Sequence, residues 1–284
     1  MDTRVSYLYR STETGTFEPL EREGPDSAWA RPADLARTVT AAGDTVDYVV
    51  RWERGTINRF IYSIAVLVPE PGSPSEPNLS AWNRRLIYYL QGGVGIGRYQ
   101  GAPSLDHMLY EHGLSKGYAI AYSTGNKTGL HYDLEVGGET ALMVKDRFVT
   151  AYDDPVYTVG LGGSGGAIQQ YVYGQNHPSL LDAAISQYSY PDMITQTIHV
   201  GDCELLERYM DAEVRRNPDS KWATWSNRTW LEGMNASDTL ANPYRGGRPG
   251  LTECISGWRG LSPLTLNPRF GDVPGMDPEV RDTV

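Results

Sequence analysis

Ser164 has the sequence context of a nucleophile held in a tight turn. A β-branched and aromatic run from Val156 leads into Gly162-x-Ser164-x-Gly166, and a helix-compatible run follows. This order predicts a strand, a sharp turn and a helix, which together present the serine hydroxyl at the end of a sheet. Glycines two positions away relieve the crowding of such a turn. A glycine-rich turn that only packs closely is one alternative, and a phosphate-binding loop, which would require a nearby lysine, is the other.

A nucleophilic serine needs a histidine base and an acid that orients it. Of the five histidines only His177 and His199 follow Ser164. His177 has the position of a helix C-cap, and His199 could reach the site only from a cap loop. His131, in a loop after a predicted strand, lies on the correct rim of the sheet and is a candidate site residue. Asp192 is the best candidate acid, although an aspartate that caps a turn would have the same context.

The composition indicates a globular protein and excludes some partners. With 284 residues and 40% hydrophobic content, the chain could form one large α/β domain or two small ones. Its net charge of −10 argues against nucleic acids and anionic membranes as partners. The polar start at Met1 indicates no leader, so we expect a cytoplasmic protein if Met1 is native and a secreted one if a leader was trimmed. No apolar run is long enough to span a membrane.

Strand-like and helix-like runs alternate from about residue 85 to 189, after an antiparallel opening. The predicted strands are Val5–Tyr9, Thr45–Trp52, Ile57–Val68, Arg85–Leu90, Tyr118–Ser123, the run before Ser164 and Ala183–Ser189, and the predicted helices are Leu105–Lys116, Glu139–Tyr152 and the run from Ser164 to near Gly174. We expect Gly55 to join the second and third strands. The alternation predicts a mostly parallel sheet covered by helices, with an antiparallel edge and a site at the C-terminal ends of its strands.

From Pro191 onward the pattern changes to helix and loop. Asp202–Val214 is a predicted helix, a tryptophan-containing segment forms a second, and no β-branched run indicates a further buried strand. The sequence therefore predicts a core over residues 1–190 and a cap-like segment over 191–284. Cys203 and Cys254 both lie in this segment, where a disulfide and two free thiols are each compatible with the sequence; we predict a disulfide.

These patterns resemble the α/β-hydrolase fold, with residues 45 to about 190 matching its first six strands and Ser164 following the fifth. Within that fold, the chain most resembles an uncharacterised bacterial family of serine hydrolases distantly related to tannases, feruloyl esterases and polyhydroxybutyrate depolymerases. The stretches that carry this likeness are Val50–Arg59, Gly162–Gln170 with Tyr188–Asp192, and Cys254–Pro263. The resemblance implies that strands seven and eight, with the histidine base, come from outside this chain, as a second polypeptide or a C-terminal half.

The resemblance also implies an oxyanion site. Its first donor would be the amide of Gly165, directly after the nucleophile, and its second would come from the loop Gln91-Gly92-Gly93, with Gln where many lipases have His. Glycine suits that loop because its amide must reach the oxyanion without a side chain in the way. A β-bulge or a tight turn is the alternative reading of the loop. Tannases carry a cysteine beside the serine, but Gly163 and Gly165 flank Ser164 here.

The expected activity is hydrolysis of a carboxylic ester, small or oligomeric, through an acyl-enzyme. We expect no cofactor and no metal. An acyltransferase or an amidase could use the same nucleophile, since only the acceptor or the leaving group differs. A non-catalytic binding module of the same fold would suit the missing histidine, but the intact glycine-flanked elbow argues against it.

Overall fold

The computed structural model describes residues 3–22, 28–72, 77–93, 99–189, 191 and 193–232, without the side chains of 193–197. The chain divides into two compact units, one formed by Met1–Gly93 with Gly97–Ser189 and the other by Val94–Ile96 with Tyr190–Val284. Among the helices described, none is long and apolar enough to cross a membrane.

The elements follow one another in the order expected of an α/β protein with an antiparallel opening. In chain order they are β1 (Arg4–Arg10), β2 (Phe17–Pro19), β3 (Arg37–Val39), β4 (Thr45–Asp47), β5 (Val49–Ile57), β6 (Phe60–Leu67), β7 (Arg85–Gln91), α1 (Leu105–Met108), α2 (Glu111–Leu114), β8 (Ala119–Lys127), α3 (Leu134–Tyr152), β9 (Tyr157–Gly163), α4 (Gly165–Asn176), β10 (Ala183–Gln187), α5 (Met193–Arg216), a 3-10 turn (Lys221–Ala223) and α6 (Trp225–Glu232).

Eight of the described strands form one mixed sheet, in the order β10-β9-β7-β8-β6-β5-β1-β2. The pairs β7–β8, β7–β9 and β9–β10 are parallel, and the pairs from β8 to β2 are antiparallel. The sequence from β5 to β10 therefore has the strand order of the first six strands of an α/β-hydrolase, which confirms the predicted fold class. No seventh or eighth strand of that fold lies among the residues described.

Along each strand, successive side chains point into two different apolar layers, one on each face of the sheet. Leu86, Tyr88 and Leu90 of β7 face the layer covered by α3 and α4, whereas Ile87 and Tyr89 face the layer covered by α1 and α2. Buried strands in a parallel sheet need apolar side chains on both faces, which explains the continuous apolar runs in the sequence.

Several predicted elements have different bounds in the structure. The helix predicted over Leu105–Lys116 is two short helices, α1 and α2, separated at Tyr110, and the strand predicted from Thr45 divides into β4 and β5. Helix α3 begins at Leu134, where the Asp133 side chain caps it, and α5 begins at Met193.

The hairpin between β5 and β6 turns three residues later than predicted. Gly55 lies inside β5 opposite Tyr62, whose ring would be 2.7 Å from a Cβ added at Gly55. The turn is formed by Asn58 and Arg59, with φ values of 48° and 62°. Positive φ at both central residues is typical of the tight hairpin turn that matches strand twist, so Gly55 serves ring packing instead.

A buried charge cluster joins α3 to the sheet. The fully buried carboxylate of Glu53 accepts hydrogen bonds from Tyr62 Oη at 2.8 Å and Arg147 Nε at 2.7 Å. Arg51, 4% exposed, places Nη1 3.3 Å from the same carboxylate. Because a buried charge is tolerated only when it is paired, this cluster fixes α3 against β5 and β6.

Strand β10 lies at one end of the sheet. Within the described residues it pairs with β9 alone. Ala183 and Ala184 are exposed, Ile185 is 53% exposed, and Tyr188, just past the strand, is 74% exposed. An apolar strand with one open edge is a surface that proteins normally cover.

The second unit contains α5, α6 and the 3-10 turn. Arg228 of α6 donates to Glu207 at 2.7 Å and Asp211 at 2.8 Å on α5, and its Nε donates to the Trp222 carbonyl at 2.8 Å. The sulfur of Cys203 on α5 takes part in a disulfide. Its predicted partner, Cys254, lies outside the described residues.

Candidate active site

Ser164 lies between β9 and α4 in a backbone conformation that serine rarely adopts. Its φ and ψ are 55° and −123°. Such a conformation costs about 1–3 kcal/mol and persists only where its surroundings enforce it. The main-chain amide of Ser164 donates to the Gln187 carbonyl at 3.2 Å, which ties the turn to the end of β10. The hydroxyl thus stands where a parallel strand ends and a helix begins.

The glycines on each side of Ser164 are required by close packing. A Cβ added at Gly162 or at Gly166 would collide with the Leu90 carbonyl at the end of β7. A Cβ at Gly163 would collide with the Tyr188 ring. The glycine-flanked motif therefore lets the turn sit directly on the end of the neighbouring strand.

The loop after β7 touches the turn at Ser164. A Cβ on Gly92 would lie 2.5 Å from the Gly163 carbonyl oxygen and 3.1 Å from the Gly165 amide nitrogen. Gly93 has a φ of 115°, and a Cβ on Gly165 would lie 3.0 Å from the Gly93 carbonyl oxygen. In the part of the chain described, neither the Gly93 nor the Gly165 amide donates to a backbone carbonyl. The three glycines named from the sequence as oxyanion donors are thus brought together beside Ser164.

The electrostatic setting of this corner is positive. Helix α4 starts at Gly165, and among the described residues the amides of Gly165 and Gly166 donate to no backbone carbonyl. The first turn of the helix contains no acidic residue. Helix N-termini and free amides stabilise negative charge. The arrangement can therefore stabilise an anion that develops next to the Ser164 hydroxyl.

A buried polar layer beneath the turn holds α4 in place. Gln169, 1% exposed, donates to the carbonyls of Gln91 and Asn126, both at 3.2 Å. Tyr173 Oη donates to Gln169 Oε1 at 3.1 Å. Tyr88 donates to Asn126 Oδ1 at 2.8 Å, and complete burial raises the pKa of Tyr88 so that it stays a neutral donor. These contacts join the ends of β7 and β8 to the helix that follows the serine.

Among the described candidates, His131 lies against Phe60 in the core and His177 lies at the end of α4. His131 is 3% exposed and packs with its ring centroid 4.8 Å from that of Phe60, which gives it a place in the core. His177 is the C-cap residue of α4, as its position suggests. In the described residues of this unit, no hydrogen bond joins a histidine to the Ser164 hydroxyl. Asp192 lies outside the described residues.

Tyr188 borders the turn at Ser164, although its place in the sequence does not predict this. Its ring packs against Gly163, next to the serine, while most of its surface stays exposed, and its φ is 30°.

Tyr89 and His107 lie together near Tyr188. Burial is the main cause, and the nearby Tyr188 the second, that raises the pKa of Tyr89, whose ring stacks on that of His107 with centroids 4.4 Å apart. Burial also lowers the pKa of His107. The excess of tyrosine in the sequence is the only signal there for these aromatic side chains.

Comparisons with known proteins give one family match and several similar solved structures. A sequence profile of the Tannase-like family of unknown function (DUF6351) matches residues 1–267. No curated protein matches the sequence. Similar solved structures include an esterase from Aspergillus oryzae (13% identity, TM-score 0.38, 72% of this chain and 38% of that one) and a tannin acyl hydrolase from Aspergillus niger (14%, 0.37, 68% and 39%). The chain thus spans less than half the length of either protein.

Proposed function

Because the chain belongs to this tannase-like family, we propose that it is a serine hydrolase that cleaves a carboxylic ester through an acyl-enzyme on Ser164. The observation that carries the proposal is the strained backbone of Ser164, with φ 55° and ψ −123°, directly ahead of a helix N-terminus. Strain of this kind is concentrated at functional sites.

In the proposed reaction, the Ser164 oxygen attacks the ester carbonyl carbon while the base takes the hydroxyl proton. The carbonyl oxygen becomes an oxyanion and accepts hydrogen bonds from the Gly93 and Gly165 amides. Collapse of this intermediate breaks the bond to the alcohol, which leaves with the proton from the base. Water then attacks the acyl-enzyme and gives its proton to the base. The bond between the acyl carbon and the Ser164 oxygen breaks, the base returns the proton to that oxygen, and the acid is released.

We propose that the base is a histidine supplied from outside this chain. Support comes from the absence of a histidine bonded to Ser164 in the described residues of the first unit, and from the edge of β10 with which no described strand pairs. A second polypeptide or a C-terminal half that adds parallel strands beside β10 would bring its own strand ends to the same rim of the sheet. In this arrangement Asp192 is the candidate acid within the chain.

Labelling with a fluorophosphonate tests the nucleophile. We expect the complete protein to be labelled at Ser164 and to hydrolyse p-nitrophenyl esters. Ser164→Ala should abolish labelling and lower kcat by at least about 10³-fold, because the covalent step is lost. Ser179→Ala, at an exposed serine away from the turn, is the matched control and should change neither readout. Labelling that survives Ser164→Ala would exclude the proposed nucleophile.

Product analysis separates hydrolysis from acyl transfer. With a primary alcohol present as competing acceptor, a hydrolase should still release mainly free acid, whereas an acyltransferase should release mainly the new ester. A protein that is neither labelled nor active in its complete form would instead be a binding module of this fold.

A further inference from the structure

Thr128 is buried at the junction between the Gly92–Gly93 loop and the turn at Ser164. It follows β8 directly and is 1% exposed. Its hydroxyl donates to the Gly93 carbonyl at 2.5 Å, and a Cβ added at Gly165 would collide with the same hydroxyl oxygen. One side-chain oxygen therefore lies between the two glycines whose amides are the proposed oxyanion donors.

The main chain of Thr128 holds the other end of the same loop. Its amide donates to the Gln91 carbonyl at 3.1 Å, so Thr128 bonds to the residues on both sides of Gly92. Glycine has no side-chain contacts that restrict its backbone, so it can adopt a wide range of backbone conformations. Gly93, at φ 115°, relies on its neighbours to stay in one of them.

The orientation of the Gly93 carbonyl matters for charge. A carbonyl oxygen is electron-rich, and this one lies close to Gly165. If its peptide plane rotated toward the substrate, the oxygen would repel the developing oxyanion. The neighbouring amides would then no longer be directed at the oxyanion. The buried Thr128 hydroxyl donates to this oxygen and so opposes that rotation.

We propose that Thr128 is a positioning residue, which keeps the Gly93 carbonyl turned away from the oxyanion and so preserves the geometry of the donor amides. This inference rests on the proposed function of Ser164. It adds that the site depends on a hydroxyl that never touches the substrate.

The test compares Thr128→Val, which keeps the shape but loses the donor, with Thr128→Ser, which keeps the donor. In the complete protein, we expect Thr128→Val to lower kcat for a p-nitrophenyl ester by about 10- to 100-fold, less than the loss of a whole oxyanion donor. KM should stay within about twofold, since ground-state binding does not use the oxyanion site. Thr128→Ser should retain kcat within about threefold.

A transition-state analogue distinguishes positioning from a general structural effect. The inhibition constant of a trifluoromethyl ketone, which forms an oxyanion on the serine, should rise by the same factor as kcat/KM falls. Thr140→Val is the matched control, because that buried hydroxyl donates to the Val136 carbonyl at 2.7 Å within α3. It should lower the melting temperature and leave both constants unchanged.

The outcomes separate the two proposals. Wild-type protein that is neither labelled nor active overturns the proposed function itself. Active wild type together with a Thr128→Val variant of unchanged kcat and inhibitor affinity overturns the role of Thr128 alone. If Thr128→Val does not fold, Thr128→Ala is judged by the same two constants.

Discussion

At the scale of the single residue, Gly92 shows how little space the site leaves. Because an added methyl group would press on the Gly163 carbonyl and lie 3.1 Å from the Gly165 amide, Gly92→Ala should displace a proposed oxyanion donor. We expect kcat/KM for an ester to fall about 10- to 100-fold. Gly174→Ala is the control, since nothing lies within 4 Å of the added group, and it should raise stability by about 0.5–1 kcal/mol. A Gly92→Ala variant with wild-type kcat/KM would contradict this reading.

At the scale of the element, the cluster around Glu53 decides how firmly α3 is attached to the sheet. Glu53→Gln would remove the buried carboxylate that pairs with Arg51 and Arg147, so we expect a loss of about 3–5 kcal/mol of unfolding free energy, measured by urea denaturation. Asp153→Asn breaks the exposed pair with Arg84 and should cost less than about 1 kcal/mol. Similar losses for the two variants would show that the buried cluster does not anchor α3.

At the scale of the whole molecule, β10 pairs with β9 alone within the described residues, and the proposed base-bearing segment would pair along its other edge. If a base-bearing segment pairs there, the outward amides of β10 should exchange hydrogen slowly in the complete protein and fast in this chain alone. Ile185→Lys should weaken the association, because Ile185 lies on that strand and is 53% exposed. Tyr171→Lys, at an exposed site on α4, is the control. Fast exchange of β10 in the complete protein would argue against a pairing strand.

The strands and the turn at Ser164 could be predicted from the sequence because their signals are local. An apolar run that predicts a strand, or a pair of glycines that predicts a tight turn, can be recognised within a few residues of sequence. The contacts of Thr128, Gln169 and Tyr188 could not, since they form only where the ends of several strands meet. The hairpin turn at Asn58 was missed for a related reason: Gly55 has the type expected of a turn, but its partner across the strands sets its role.

The tight fit of the glycines around Ser164 has a consequence for engineering substrate preference. A side chain introduced at Gly162, Gly163 or Gly166 would collide with the backbone or with the Tyr188 ring. A mutant library at these positions would therefore yield mostly misfolded protein. Tyr188 has the opposite character, because its ring borders the serine while 74% of its surface is open to solvent. Substitutions at Tyr188 should therefore change which substrates the proposed esterase accepts, while the turn at Ser164 keeps its structure.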